Sequence, residues 1–294
     1  MKIEHALLES GIYATVRVPD GAGKFPVIIL CHGFCGIQDF LLPAFAERFV
    51  QAGYLTVCFD YHGFGKSTGE RGRLLPAKQI ADITEVTEWI KHHPSACKEK
   101  TGLWGTSLGG CHVFEVAAQN PEICFIISQL AFSDGEDIIT GSMTADKKRL
   151  FLESVHRLQH IKETTNREKF VSVDVVLNDA GSRSFFEKAR QRFPALDVKI
   201  PFLTVQEILH YKPYISALKV NCPVLVFLAE NDSVNPTEYG VSLFNSVGSA
   251  RKSIYTEPEA DHYDVYEGRH FENIIKEQLN WLSELFPGGH GVNV

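Results

Sequence analysis

Short apolar runs recur along the chain, separated by stretches in which apolar residues return every third or fourth position. Pro26-Val27-Ile28-Ile29-Leu30 contains no polar residue, as expected of a strand covered on both faces. Residues 55–59, 101–104, 123–128, 223–228 and 252–255 are read as further strands. Between them lie amphipathic helices. Residues 43–52 stop at Gly53, which suits the position after a helix end. Residues 76–93 begin on a proline and place Ile80, Ile83, Val86 and Ile90 on one face. Residues 267–285 do the same with Phe271, Ile274, Ile275, Leu279 and Leu282, and stop before Pro287. This alternation predicts an α/β protein with a parallel sheet and helices on both faces.

The rhythm breaks between about residues 130 and 218, a helix-like, charged region with no clear buried strand. Its best helices are 144–164 and 182–193. Lying between two strands, it is read as an inserted helical cap or lid, the plainer alternative being a pair of long surface helices. The expected organisation is a core of residues 1–130 and 219–287, a cap of 131–218 and a frayed tail of 288–294. Ile200-Pro201-Phe202-Leu203 in the cap fits either a homodimer face or packing of lid on body.

Composition narrows the function classes. The chain has 294 residues, 44% of them hydrophobic, enough for one sizeable core with an insertion. Its 29 basic and 36 acidic residues are interspersed, for a net charge of −7. Without a basic stripe, nucleic acid is not expected as a partner. No apolar run reaches the length of a membrane span, and Met1-Lys2-Ile3-Glu4-His5 lacks the apolar stretch of a signal peptide. The seven cysteines include no C-x-x-C pair, so they are read as reduced residues of a cytoplasmic protein, without zinc or another metal.

Candidate chemistry centres on Gly105-Thr106-Ser107-Leu108-Gly109, placed between an apolar run and a helix-compatible stretch from Cys111 to Gln119. A G-x-S-x-G turn in that context lifts the serine out of the sheet and aims free N–H groups of the new helix at developing negative charge. A serine needs a base. His262 follows the 252–255 strand and precedes the last helix, which fits the order serine, acid, histidine. Position selects it, since the chain has twelve histidines. His112, on the helix after the turn, is a candidate for the pocket floor. The orienting acid should follow the 223–228 strand, where Asp232 is the choice and Glu230 the alternative; Asp261 adjoins His262 too closely in the chain to face it. Oxyanion donors are expected from the N–H groups of Leu108 and of Phe34, in the His32-Gly33-Phe34-Cys35-Gly36 loop. Asp60 to Ser67 ends in Gly65-Lys66-Ser67 but lacks the first glycine of a phosphate loop, and a phosphate site is rejected.

Taken together, His32-Gly33-Phe34, Asp60-Tyr61-His62-Gly63-Phe64-Gly65-Lys66-Ser67, Gly102 to Gly110, Ala229 to Asp232 and Asp261-His262-Tyr263 resemble the α/β-hydrolase superfamily, in its order and over residues 12–286. Trp104-Gly105-Thr106-Ser107-Leu108-Gly109-Gly110, Ile126-Ile127-Ser128-Gln129 and His262 to Gly268 are similar to the X-prolyl dipeptidyl-peptidase-like and dienelactone-hydrolase-like branch, some members of which resemble polyketide acyltransferases. The resemblance implies a mostly parallel eight-stranded sheet, a helical lid and no cofactor. Dienelactone hydrolases carry a cysteine nucleophile where this chain has Ser107, which points towards esters, lactones or thioesters. The expected partner is a small-molecule acyl substrate. The expected enzyme is a serine hydrolase, with an acyltransferase as the nearest rival, then a peptidase or carbon–carbon hydrolase, and last a non-catalytic receptor. Phe151, His210, Tyr211, Tyr214 and Tyr263 are the expected substrate-lining residues.

Overall fold

The computed structural model describes residues 1–286; the tail expected to fray lies outside them. In chain order the elements are β1 (Lys2–Leu7), β2 (Tyr13–Val18), β3 (Phe25–Cys31), α1 (Leu42–Gln51), β4 (Leu55–Phe59), α2 (Pro76–Ile90), β5 (Ala96–Thr106), α3 (Leu108–Gln119) and β6 (Ile126–Gln129). Then come α4 (Gly135–Thr140), α5 (Ala145–Thr165), β7 (Phe170–Ser172), α6 (Val173–Val176), α7 (Ala180–Arg192), β8 (Lys199–Pro201), α8 (Thr204–Leu209) and α9 (Pro213–Ala217). The chain closes with β9 (Val224–Ala229), α10 (Thr237–Ser246), β10 (Lys252–Glu257) and α11 (Gly268–Leu285).

Eight strands form one sheet in the order β1-β2-β4-β3-β5-β6-β9-β10. β2 runs antiparallel to both β1 and β4, and the remaining pairs are parallel. The wholly apolar runs are explained by the strand period of two. Ile29, Leu103, Ile126 and Val226 face one layer, with Ile83 and Val86 of α2 and Phe114 of α3. Ile28, Trp104, Ile127 and Phe227 face the other, with Phe45 and Phe49 of α1 and Ile274 and Leu282 of α11. Each such side chain, fully buried, contributes about 1.5–3 kcal/mol.

The strand order reverses direction around β3, with β4 on one side and β5 on the other. In an open parallel sheet a crevice forms beyond the carboxyl ends of the strands at such a switch point. The loops after β3 and β5, which carry Phe34 and Ser107, lie there.

Between β6 and β9 the structure has the two expected long helices, α5 and α7, each started by a side-chain cap. Thr144 accepts the Lys147 N–H and Asp179 the Ser182 N–H. It also has an antiparallel ribbon, β7 with β8, pairing Val171 with Ile200. The sequence pattern gave no strand here, because three residues are too few to show a period. Ile200, Pro201 and Leu203 are buried and Phe202 is half-buried. The stretch packs inside the molecule, as lid-on-body packing would have it. Among the described residues no helix is long and apolar enough to cross a membrane.

Candidate active site

Ser107 joins β5 to α3 with φ 54° and ψ −122°, a conformation that costs a non-glycine residue about 1–3 kcal/mol. The surroundings hold it there. Its N–H donates to the Gln129 carbonyl of β6 at 2.7 Å. A Cβ on Gly105 would lie 2.2 Å from the Gly109 carbonyl oxygen, and one on Gly109 would lie 2.3 Å from that of Cys31. Both glycines are therefore fixed by close backbone approach. Leu108 opens α3, so its N–H has no acceptor within the helix. Ser107, Leu108 and Phe34 all line one cavity of about 430 Å³.

His262 lines that cavity from the loop after β10, and Asp232, in the loop after β9, lies behind its ring. His262 Nδ1 and Asp232 Oδ2 are 2.8 Å apart and both side chains are buried. The other carboxylate oxygen accepts the Val234 N–H at 2.9 Å and the Asn235 N–H at 2.7 Å. Ionised, the carboxylate is acceptor-only, which puts the proton on Nδ1 of His262 and leaves Nε2 as an acceptor. Glu230, the other acid considered, accepts the Glu259 N–H on the surface. Asp261 holds the two loops together, through the Ser233 N–H and hydroxyl and the His262 N–H.

The rest of the cavity wall is mainly apolar. Phe151 and Tyr263 line it. Tyr263 stacks on Phe185 of α7 at 4.0 Å between ring centroids and shares a 2.7 Å hydrogen bond with the Ser182 hydroxyl. Burial and its carboxylate neighbours push the Tyr263 phenol pKa up, so it stays neutral. His210, Tyr211 and Tyr214 are not in the wall, contrary to expectation. α8 turns Val205 and Ile208 to the cavity, and the helical period sends Glu207, His210 and Tyr211 to a cleft on its other side. Tyr214, on α9, is exposed. His112 is not on the pocket floor either. It is wholly buried, its ring nitrogens 2.8 Å from the Tyr211 hydroxyl and 2.9 Å from Gln79 Oε1. The Asp60 loop folds onto its own carboxylate, which accepts the Lys66 N–H at 2.9 Å and the Gln38 N–H at 2.7 Å.

Two polar residues of the cavity wall have roles the sequence pattern did not indicate. His32 is buried, which lowers its pKa to about 4, and its Nε2–H donates to the Phe40 carbonyl at 2.8 Å. Asn235 places its amide nitrogen 3.4 Å from Ser107 Oγ and 2.6 Å from the Leu130 carbonyl oxygen. The only sequence sign of Asn235 is its spacing, three residues after Asp232. Among the described residues no group of His, Cys, Asp and Glu is arranged to hold a metal ion.

Comparison with known proteins fits this geometry. The profile of the family described as serine aminopeptidase, S33, matches residues 24–268. The chain is similar to an uncharacterized 31.7 kDa protein of the traX-finO intergenic region in Escherichia coli, 50% identical over 284 residues, 97% of this chain and 99% of that one. It is 26% identical to the quorum-quenching protein AidA of Acinetobacter baumannii, over 89% of this chain and 87% of that one. It is 25% identical to the polyketide transferase grgF of a Penicillium species, over 87% of each. The crystal structure of the α/β hydrolase GrgF from Penicillium sp. sh18 matches with a TM-score of 0.79 at 19% identity, covering 97% of this chain and 99% of that one.

Proposed function

The chain belongs to the serine aminopeptidase (S33) family within the α/β-hydrolase superfamily, and we propose that it cleaves a carboxylic ester, lactone or thioester through an acyl-enzyme on Ser107. Family and relatives make it an α/β hydrolase or acyltransferase. The finer assignment is carried by one observation: His262, paired with the buried Asp232 at 2.8 Å, lines the cavity into which the strained Ser107 turn opens.

In this mechanism Ser107 Oγ attacks the acyl carbon and its proton passes to His262 Nε2. The oxyanion is held by the Phe34 and Leu108 N–H groups. The bond to the leaving oxygen or sulfur breaks and that atom takes the proton from His262. Water, deprotonated by the same imidazole, then attacks the acyl-enzyme and releases the acid. Asp232 keeps the imidazole in one tautomer and stabilises its protonated form. The segment between β6 and β9 acts as a cap, and its apolar lining suits an uncharged acyl group.

The test is labelling with a fluorophosphonate and turnover of p-nitrophenyl esters of graded chain length. Labelling is expected at Ser107, and Ser107→Ala and His262→Ala should each lose at least about four orders of magnitude in kcat. A wild-type protein that neither labels nor turns over would overturn the proposal. A second reading, acyl transfer, is favoured by the likeness to a polyketide transferase. It keeps the same acyl-enzyme and predicts that an added alcohol or amine, not water, accelerates deacylation.

A further inference from the structure

Among the described residues, the hydrogen-bond partner the structure gives the Ser107 hydroxyl is Asn235, whose Nδ2 lies 3.4 Å from Oγ. Asn235 is 5% exposed and sits in the cavity wall. Two further bonds fix its position, and a third steadies the carboxylate it is tied to. Its backbone N–H donates to Asp232 Oδ1 at 2.7 Å, its Nδ2 donates to the Leu130 carbonyl at 2.6 Å, and the Asp232 carboxylate also receives the Val234 N–H at 2.9 Å. Leu130 itself has a positive φ of 54°, a conformation a leucine holds only under constraint from its surroundings. That residue follows directly on β6, so the amide is anchored to the sheet as well as to the acid loop.

We infer that Asn235 is a positioning residue for the nucleophile, its amide donating into a lone pair of Ser107 Oγ so that the hydroxyl proton is left to go to His262. The chemistry follows from donor counting. A primary amide nitrogen has two hydrogens. One goes to the Leu130 carbonyl, and the second is directed at Oγ. Nδ2, the amide atom turned to Oγ, accepts no hydrogen bond, so the Ser107 proton is not spent on it and remains for Nε2 of His262. When that proton leaves, Oγ gains negative charge and the bond from Nδ2 strengthens; active-site hydrogen bonds that are long at rest tighten in this way. As the Oγ–C bond forms, the charge moves to the carbonyl oxygen. In deacylation the Oγ–C bond breaks, Oγ departs as the developing alkoxide and takes its proton back from His262, and the same donor stabilises it again. The backbone N–H of Asn235 meanwhile steadies the carboxylate that orients the imidazole, so one residue sets the geometry of both ends of the relay.

The role assigned to Asn235 presupposes the nucleophile proposed above. The experiment is single-turnover acylation by p-nitrophenyl esters across pH, in wild type, Asn235→Ala and Asn235→Asp, each normalised to the fraction titrated by fluorophosphonate. Asn235→Ala keeps the backbone N–H to Asp232 and loses only the amide. Acylation is expected to slow by about ten- to a hundred-fold, with KM little changed and the acid limb of the pH profile in place, since the Asp232–His262 pair is untouched. Asn235→Asp, close in shape but without a donor, should not restore the rate. Wild-type acylation in Asn235→Ala overturns the inference alone. A rate loss accompanied by a displaced acid limb overturns it too, because the residue then acts through the acid and imidazole. Rescue by Asn235→Asp also overturns it, since shape rather than donation would be what matters. A wild-type protein that is not acylated at Ser107 overturns the proposed function itself, and the role of Asn235 with it.

Discussion

Asp232 has one carboxylate oxygen on two backbone N–H groups and the other on His262 Nδ1, and this division decides what Asp232→Asn will do. The amide oxygen must stay with the backbone donors, so the amide nitrogen faces Nδ1. Two donors cannot share one proton site, and the imidazole is driven into the Nε2–H tautomer, which has no lone pair for the Ser107 proton. We expect kcat to fall by about 10⁴-fold while thermal unfolding changes little; retained turnover would show that His262 does not act as the base. At this scale the sequence was informative where chemistry depends on local order. Ser107, Asp232 and His262 each follow a strand, and the fold brings the carboxyl ends of those strands together. Asn235 was not legible, because its value lies in a contact with a residue 128 positions away in the chain. His210, Tyr211 and Tyr214 were misplaced because the turn of α8 and α9 relative to the cavity is set by packing, which leaves no trace in residue type.

α7 stands over the cavity and is tied to the loop of His262. Ser182, in its first turn, bonds to Tyr263, and Phe185, one turn on, stacks on the same ring. Phe185 also packs against Phe40 at 5.4 Å and Phe186 at 5.8 Å and borders the cavity. Phe185→Ala should open that wall. The expected result is a shift of the p-nitrophenyl ester optimum to longer acyl chains, read as kcat/KM against chain length. An unchanged optimum would place the acyl chain against another wall. The long amphipathic helices were legible to within a few residues, since α2 and α11 show a full apolar stripe. β1 was not, because its residues are largely exposed and Ile3, Ala6 and Leu7 fall in no regular alternation with its polar residues. β7 and β8 are too short to carry a pattern, and they fold only by pairing with each other over the body.

For the molecule as a whole, pH acts on stability through histidines on opposite sides of their ordinary value. Burial lowers the pKa of His112 to about 3 and that of His32 to about 4. In the unfolded chain both bind a proton near pH 6.5. Their contribution to stability is therefore complete above that pH and is lost as pH falls towards 4, at about 1.4 kcal/mol per pH unit for each histidine. His62 works the other way. Burial presses its pKa down, but the Ser10 carbonyl and the Asp82 carboxylate, 2.7 Å from Nδ1, outweigh this and raise it. Its contribution is complete below about pH 6.5 and is lost as pH rises through the raised value. Stability should thus peak near neutrality and fall most steeply on the acid side. Urea midpoints between pH 8 and pH 4.5 measure this. The buried carboxylates Asp60 and Asp82, whose pKa values burial raises, take up protons more readily folded than unfolded and so oppose this slope at the acid end, which makes the decisive quantity a difference between proteins. His112→Asn has no titrating ring. Its amide can still meet Gln79 or Tyr211, and the variant should lose stability at pH 7.5 yet show an acid slope shallower by about one proton. Equal slopes would mean that His112 takes up its proton in the folded protein and that the buried ring is open to water.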